Sequence, residues 1–216
     1  MPSKKTSRKD FDLSEARLYL VLDRQVCGYD RLFEILEESA AFGVDVVQLR
    51  DKHGEARETL AFARAAVRSL KKRVPFIVND RADIALLSGA AGVHVGQDDL
   101  SCREARSLLG PSAVIGVSCQ TLAHAAKAQK DGADYIGFGS VFKTRTKPDR
   151  DPMDLALLSR AVRTIRIPVF AIGGIELRNV GQVLQTGITR IAVTRAVCQA
   201  QDAGQAVRDF RKKLPS

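Results

Sequence analysis

Short apolar, β-branched runs alternate with longer amphipathic stretches along this chain, and that alternation limits the fold more than any other feature. The spacing predicts strands over residues 18–22, 44–49, 75–78, 92–95, 114–117, 135–138, 168–172 and 188–193. Helices are expected between them, over 31–41, 55–71, 81–88, 103–109, 122–130, 155–164, 179–185 and 203–213. In the second helix Leu60, Ala63, Val67 and Leu70 recur at three- and four-residue spacing and form one apolar stripe. Gly43, Gly132 and Gly187 each follow a helical stretch, where a left-handed C-terminal cap needs glycine.

Repeated strand–helix units imply parallel strands joined by right-handed crossovers. Eight such units close into a barrel with no free edge, so the expected fold is α/β, a single (β/α)₈ TIM barrel with a parallel eight-stranded core. An open doubly wound sheet is the competing architecture. It is disfavoured because no Gly-x-Gly-x-x-Gly follows the first strand and because polar motifs follow nearly every strand. No linker or second domain is evident. Residues 1–14 read as a frayed basic tail, with Lys4, Lys5, Arg8 and Lys9, and residues 15–216 as the barrel.

A formal net charge of +9 favours anionic partners. Phosphorylated small molecules suit it better than nucleic acid, because no aromatic-and-basic surface motif accompanies the charge. Cys27, Cys102, Cys119 and Cys198 show no paired spacing and suit free thiols in a reducing compartment. No apolar run approaches a membrane span and the N-terminus lacks a secretory core, so a cytoplasmic location with no membrane partner is expected. A homo-oligomer is compatible with all of this.

In such a barrel the loops at the carboxyl ends of the strands share one mouth. After the second strand comes Gln48-Leu49-Arg50-Asp51-Lys52, in which alternation sends Gln48 and Arg50 to one face. Two cations beside a planar amide suit a diphosphate. Asn79-Asp80-Arg81 ends the third strand, and Gly96-Gln97-Asp98-Asp99 follows the fourth. An acidic residue at either turn is an ordinary helix cap taken alone. Adjacent strands, however, bring Asp80 and Asp99 close, and two carboxylates together call for a cation, with Mg²⁺ the fitting one where phosphates complete its shell. Ser118 ends the fifth strand, and Thr144-Arg145-Thr146-Lys147 after the sixth alternates hydroxyls with cations as an anion-binding loop would. Gly173-Gly174 and Thr194-Arg195 fill the loops after strands seven and eight, the usual phosphate cradle of phosphate-binding barrels. His94, between Val93 and Val95, reads as a satisfied structural histidine rather than a catalytic one; His53 and His124 look exposed. Cys119 has no histidine patterned to make it a nucleophile.

Taken in order, Gln48-Leu49-Arg50-Asp51-Lys52, Asn79-Asp80-Arg81, Gly92-Val93-His94-Val95-Gly96-Gln97-Asp98-Asp99, Gly116-Val117-Ser118, Thr144-Arg145-Thr146-Lys147 and Ile172-Gly173-Gly174-Ile175 resemble the thiamine-phosphate synthase family. The resemblance runs from the first strand to the last helix. It implies a transferase that joins 4-amino-5-hydroxymethyl-2-methylpyrimidine diphosphate to 4-methyl-5-(2-hydroxyethyl)thiazole phosphate and releases pyrophosphate. It further implies that Gln48 through Lys52, Asn79, Ser118 and Lys147 hold the pyrimidine diphosphate, with Arg50, Lys52, Ser118 and Lys147 nearest the chemistry. Asp80 and Asp99 would bind Mg²⁺, while Thr144, Thr146, Gly174, Thr194 and Arg195 would serve the thiazole phosphate, with Arg145 a further substrate-binding residue. The chain departs from the family pattern at Ser140 and Lys143, where proline is common, at Gln120, where histidine is common, and at Arg195, where serine is frequent. Two rival readings are a thiazole tautomerase-like isomerase, which needs neither diphosphate nor metal, and a non-catalytic sensor of thiamine intermediates.

Overall fold

Because successive strand residues face opposite ways, each apolar run must supply two separate cores at once. The computed structural model describes residues 11–145 and 151–215 and shows both cores. Its strands are β1 (Leu18–Asp23), β2 (Val46–Arg50), β3 (Phe76–Asn79), β4 (Gly92–Val95), β5 (Val114–Cys119), β6 (Tyr135–Phe138), β7 (Val169–Ile172) and β8 (Ile191–Val193). They pair in parallel and in chain order, and β8 returns to β1 with Leu18 opposite Ile191, closing the barrel. Leu20, Leu22, Leu49, Val78, Val93, Ile115, Ile136 and Phe138 point outward into the larger core under the helices. Tyr19, Val21, Val46, Ile77, Val114, Tyr135, Phe170 and Ala192 fill the interior.

The helices are α1 (Tyr29–Ala41), α2 (Ala56–Leu70), α3 (Ala82–Ser88), α4 (Cys102–Leu109), α5 (Leu122–Lys130), α6 (Leu155–Thr164), α7 (Val180–Leu184), α8 (Arg195–Cys198) and α9 (Ala203–Lys213). Gly43, Gly132 and Gly187 do take positive φ, at 98°, 88° and 88°. Most element boundaries shift by one or two residues from the sequence reading, and three departures have a physical reason. β2 starts at Val46, because Val44 N–H still bonds Ser39 and the Asp45 carboxylate accepts from the N–H groups of Arg17 and Leu18. β8 shrinks to three residues. The one-turn helix α8 was not foreseen, since four residues carry no readable period. The packed chain also begins before residue 15: Leu13 is buried in the interior cluster and Phe11 packs on it. Lys4, Lys5, Arg8 and Lys9 lie outside the described residues.

Gly116 is required for room. A Cβ there would run into the Tyr135 ring and His94 Nδ1, both inside the barrel. Gly116→Ala is therefore expected to destabilise the protein by about 2 kcal/mol through overpacking. Gly181→Ala, where nothing lies within 4 Å, should be neutral or slightly stabilising. Chemical denaturation of both variants checks this; an unmoved midpoint for Gly116→Ala contradicts it.

Candidate active site

Above the interior apolar layer the inward positions turn polar, and a cavity of about 400 Å³ opens at the carboxyl ends of the strands. Its floor is a hydrogen-bonded chain. Gln48 Nε2 donates to the Tyr19 hydroxyl at 2.9 Å, and the Tyr19 and Tyr135 hydroxyls lie 2.7 Å apart. His94 Nδ1 is 3.1 Å from the Tyr135 hydroxyl, and His94 Nε2 is 2.9 Å from Ser118 Oγ. The Gln48 amide N–H donates to Tyr19; with His94 protonated on Nε2, Nδ1 accepts from the Tyr135 hydroxyl and Nε2–H donates to Ser118. His94 is paired at both ring nitrogens, lines the cavity and orients Ser118.

The β1–β4 side of the mouth holds its charges in pairs. Arg50 Nη1 bonds Asp23 Oδ2 at 2.9 Å, and Asp23 is fully buried. Lys52 Nζ contacts Asp80 Oδ2, and the Asp80 and Asp99 carboxyls lie within hydrogen-bonding reach of one another. Burial holds the Asp80 carboxyl above its ordinary range; the Lys52 ammonium opposes this and the Asp99 carboxyl adds to it. Asp80 adopts a left-handed φ of 61°, which aims it at the rim. Neither residue is a helix cap. α3 has no side-chain cap bond, and α4 is capped by a box between Ser101 and Glu104. Asp99 Oδ2 instead accepts from Gly96 N–H at 2.8 Å. The pair offers two carboxylates, the number magnesium takes when substrate phosphates complete its shell. Among the described residues no larger cluster of His, Cys, Asp or Glu forms a metal cage.

Asn79 is 8% exposed, and its Nδ2 is buried without a partner, as a donor awaiting a ligand would be. The other expected residues of this region divide. Gln48, Arg50, Asn79 and Ser118 line the cavity, whereas Lys52, Asp80 and Asp99 are outside its lining, in the loops that follow β2, β3 and β4. Leu49 is 1% exposed and its side chain packs into the outer core, so only its backbone can serve the site. The Asp51 carboxylate turns into its own loop, accepting from the Tyr29 hydroxyl at 2.5 Å and from Gly54 N–H at 2.7 Å. Its partners are Tyr29, Thr59 and the N–H groups of His53 and Gly54, and Asp51 is not among the residues lining the cavity.

The β6–β8 side is a cradle. Gly173 and Gly174 adopt φ of 108° and 63°, and a Cβ on either would strike the Ser140 to Lys143 segment. Glycine thus lets two loops close up and leaves backbone N–H groups accessible. Asn179 Nδ2 donates to Gly174 O at 2.9 Å and fixes the turn. Lys143, Thr144, Arg145, Thr194 and Arg195 also line this side, and Arg195 Nε is buried without a partner. Thr146 and Lys147 lie outside the described residues. Sequence reading missed Tyr19, Asp23 and Tyr135, which lie at alternate inward positions of their strands, and Glu176, Arg178 and Gln199 on the cavity wall.

A family model described as thiamine monophosphate synthase matches residues 18–197. The chain belongs to that family. A thiamine-phosphate synthase of Halalkalibacterium halodurans is 42% identical over 192 residues, covering 88% of this chain and 91% of the relative. One from Gloeobacter violaceus is 44% identical over 203 residues, covering 94% of this chain but only 58% of that longer relative. A solved thiamine phosphate pyrophosphorylase from Pyrococcus furiosus superposes with a TM-score of 0.82 at 36% identity, covering 91% of this chain and 94% of that one. A 3-hexulose-6-phosphate synthase, at 18% identity and TM-score 0.73, shares the fold. Among the described residues, no helix of this family member is long and apolar enough to cross a membrane.

All three tyrosines sit above their ordinary value of 10.0, mainly through burial, with Tyr29 pushed up to about 12. The folded state keeps these phenols neutral, so their contribution is fully present below pH 10. It is lost as pH climbs toward the raised values, because the unfolded chain ionises first. Absorbance titration near 295 nm should show almost no tyrosinate at pH 10.5 in folded protein, and ionisation of about three quarters of the tyrosines on unfolding at the same pH. Normal titration while folded would contradict the buried phenol pair.

Proposed function

We propose that this barrel, by family a transferase of thiamine biosynthesis, joins 4-amino-5-hydroxymethyl-2-methylpyrimidine diphosphate to 4-methyl-5-(2-hydroxyethyl)thiazole phosphate, giving thiamine phosphate and pyrophosphate. The observation that carries this reading is the division of one mouth into two anion-binding sides. Arg50, Lys52 and the Asp80–Asp99 pair lie at one side, and the Gly173–Gly174 turn with Thr194 and Arg195 at the other. One side suits a diphosphate with its cation, the other a phosphate monoester. Substrates of this kind, rather than nucleic acid or membrane, account for the basic balance of the chain.

The reaction requires little proton transfer. The bond between the pyrimidine methylene and the diphosphate oxygen breaks, its electron pair leaves on pyrophosphate, and the aminopyrimidine stabilises the cationic carbon. The thiazole nitrogen then donates its lone pair to that carbon. Arg50, Lys52 and Lys147 neutralise the charge that builds on the leaving group, and the Ser118 hydroxyl donates toward it. The unpartnered Asn79 amide donates to the bound pyrimidine diphosphate. The cradle holds the thiazole phosphate in line, which supplies the entropic part of the acceleration. Asp80 and Asp99 would hold Mg²⁺, whose chemistry is to draw charge from the departing diphosphate. The free thiols suit the cytoplasmic location proposed for the enzyme.

Pyrophosphate release should need both substrates and magnesium, with thiamine phosphate formed in equal amount and activity lost in EDTA. Asp99→Ala should fold normally and turn over about 10²–10³-fold more slowly. Release with no effect of EDTA or of Asp99→Ala would overturn the metal assignment. Isomerisation of the thiazole phosphate without release would favour the tautomerase-like reading.

A further inference from the structure

The rim holds a cation already. Asp80 and Asp99 lie close enough to repel one another, and the ammonium of Lys52, in contact with Asp80 Oδ2, is a positive group that relieves this. The two cations of the Gln48–Lys52 segment are held differently. Arg50 is 9% exposed and locked on the buried Asp23, with Gln25 Oε1 at 3.2 Å as a further partner. The Lys52 side chain is 37% exposed. The Asp51 carboxylate pins the turn after it through the N–H groups of His53 and Gly54, and the lysine stem has four rotatable carbons. A divalent cation entering between Asp80 and Asp99 would meet the ammonium on the same carboxylate edge, and two positive charges cannot share it. A diphosphate bound beside Arg50, as proposed above, would offer the ammonium another anion.

We propose that Lys52 is a resident stand-in for the divalent cation: it neutralises the acidic pair in the free enzyme and transfers to the diphosphate as the cation enters. This rests on the reading of Asp80 and Asp99 as metal ligands. The exchange couples the two ligands. Metal alone must strand the ammonium, whereas metal with diphosphate gives it a new partner, so each raises the affinity of the other by the same factor. The free enzyme then binds the cation weakly and loads it together with substrate.

The test is a Mn²⁺ titration of the full chain without substrates, read by the electron paramagnetic resonance of free Mn²⁺. It is run on wild type, Lys52→Met, Asp99→Asn and Lys143→Gln, with circular dichroism to confirm folding. Lys52→Met should bind Mn²⁺ at least fivefold more tightly than wild type, and, once saturated with Mn²⁺, should bind inorganic pyrophosphate at least fivefold more weakly. Asp99→Asn should bind Mn²⁺ poorly. If Asp99→Asn matches wild type, the metal assignment fails and the exchange with it. If Asp99→Asn loses Mn²⁺ but Lys52→Met binds it no better than wild type, the exchange fails and the metal site stands. An equal gain in Lys143→Gln, which removes a cavity-wall charge elsewhere on the mouth, would reduce the effect to general field and overturn the exchange.

Discussion

The pair of buried phenols at the centre of the barrel is the contact on which the rest of the site depends. Tyr19 and Tyr135 meet hydroxyl to hydroxyl at 2.7 Å, and each packs edge-on against Phe170 with ring centroids 5.4 and 5.7 Å away. A buried hydroxyl without partners is costly, so the pair is tolerable only because Gln48 and His94 complete it. Those four residues come from β1, β2, β4 and β6, and His94 passes the constraint to Ser118 on β5. Gly116 makes the space. One polar chain therefore ties five strands at a common height and sets the floor on which both anion sites stand.

Charge is then arranged above that floor in two unlike ways. The Asp23–Arg50 pair is buried and fixed, so the guanidinium is presented in one geometry. The Lys52–Asp80 pair is half-exposed and exchangeable. On the opposite side the Gly173–Gly174 turn lines the cavity with Thr194 and Arg195. A fixed cation and an exchangeable one on one side, and a glycine turn flanked by Lys143, Arg145 and Arg195 on the other, suit the two phosphorylated ligands proposed above.

Much of this was legible in the sequence because barrel topology turns local motifs into one site. Alternation alone sends Gln48 and Arg50 inward on β2, and the order of the loops brings Asp80 beside Asp99. The same alternation, carried down β1 and β6, would have found Tyr19, Asp23 and Tyr135; they escaped because apolar runs hide inward polar residues and no motif marks them. Leu49 and Asp51 lie within the motif yet turn away from the cavity, one into the helix-side core and one into its own loop. Side-chain direction at a strand end depends on the turn that follows, which a motif does not encode. The early start of the packed chain was hidden for a related reason: Leu13 is buried only because the barrel interior offers it a place. The one-turn α8 is too short to leave a periodic trace.

The most direct test of the two-sided mouth is a crystal structure of the protein with Mn²⁺, pyrophosphate and thiamine phosphate, read by anomalous scattering. The account predicts a manganese peak between the Asp80 and Asp99 carboxylates, with pyrophosphate spanning it and Arg50. The phosphoryl group of thiamine phosphate should rest against Gly174 and Thr194. Manganese bound elsewhere, or both phosphorylated ligands competing for the same side, would contradict it.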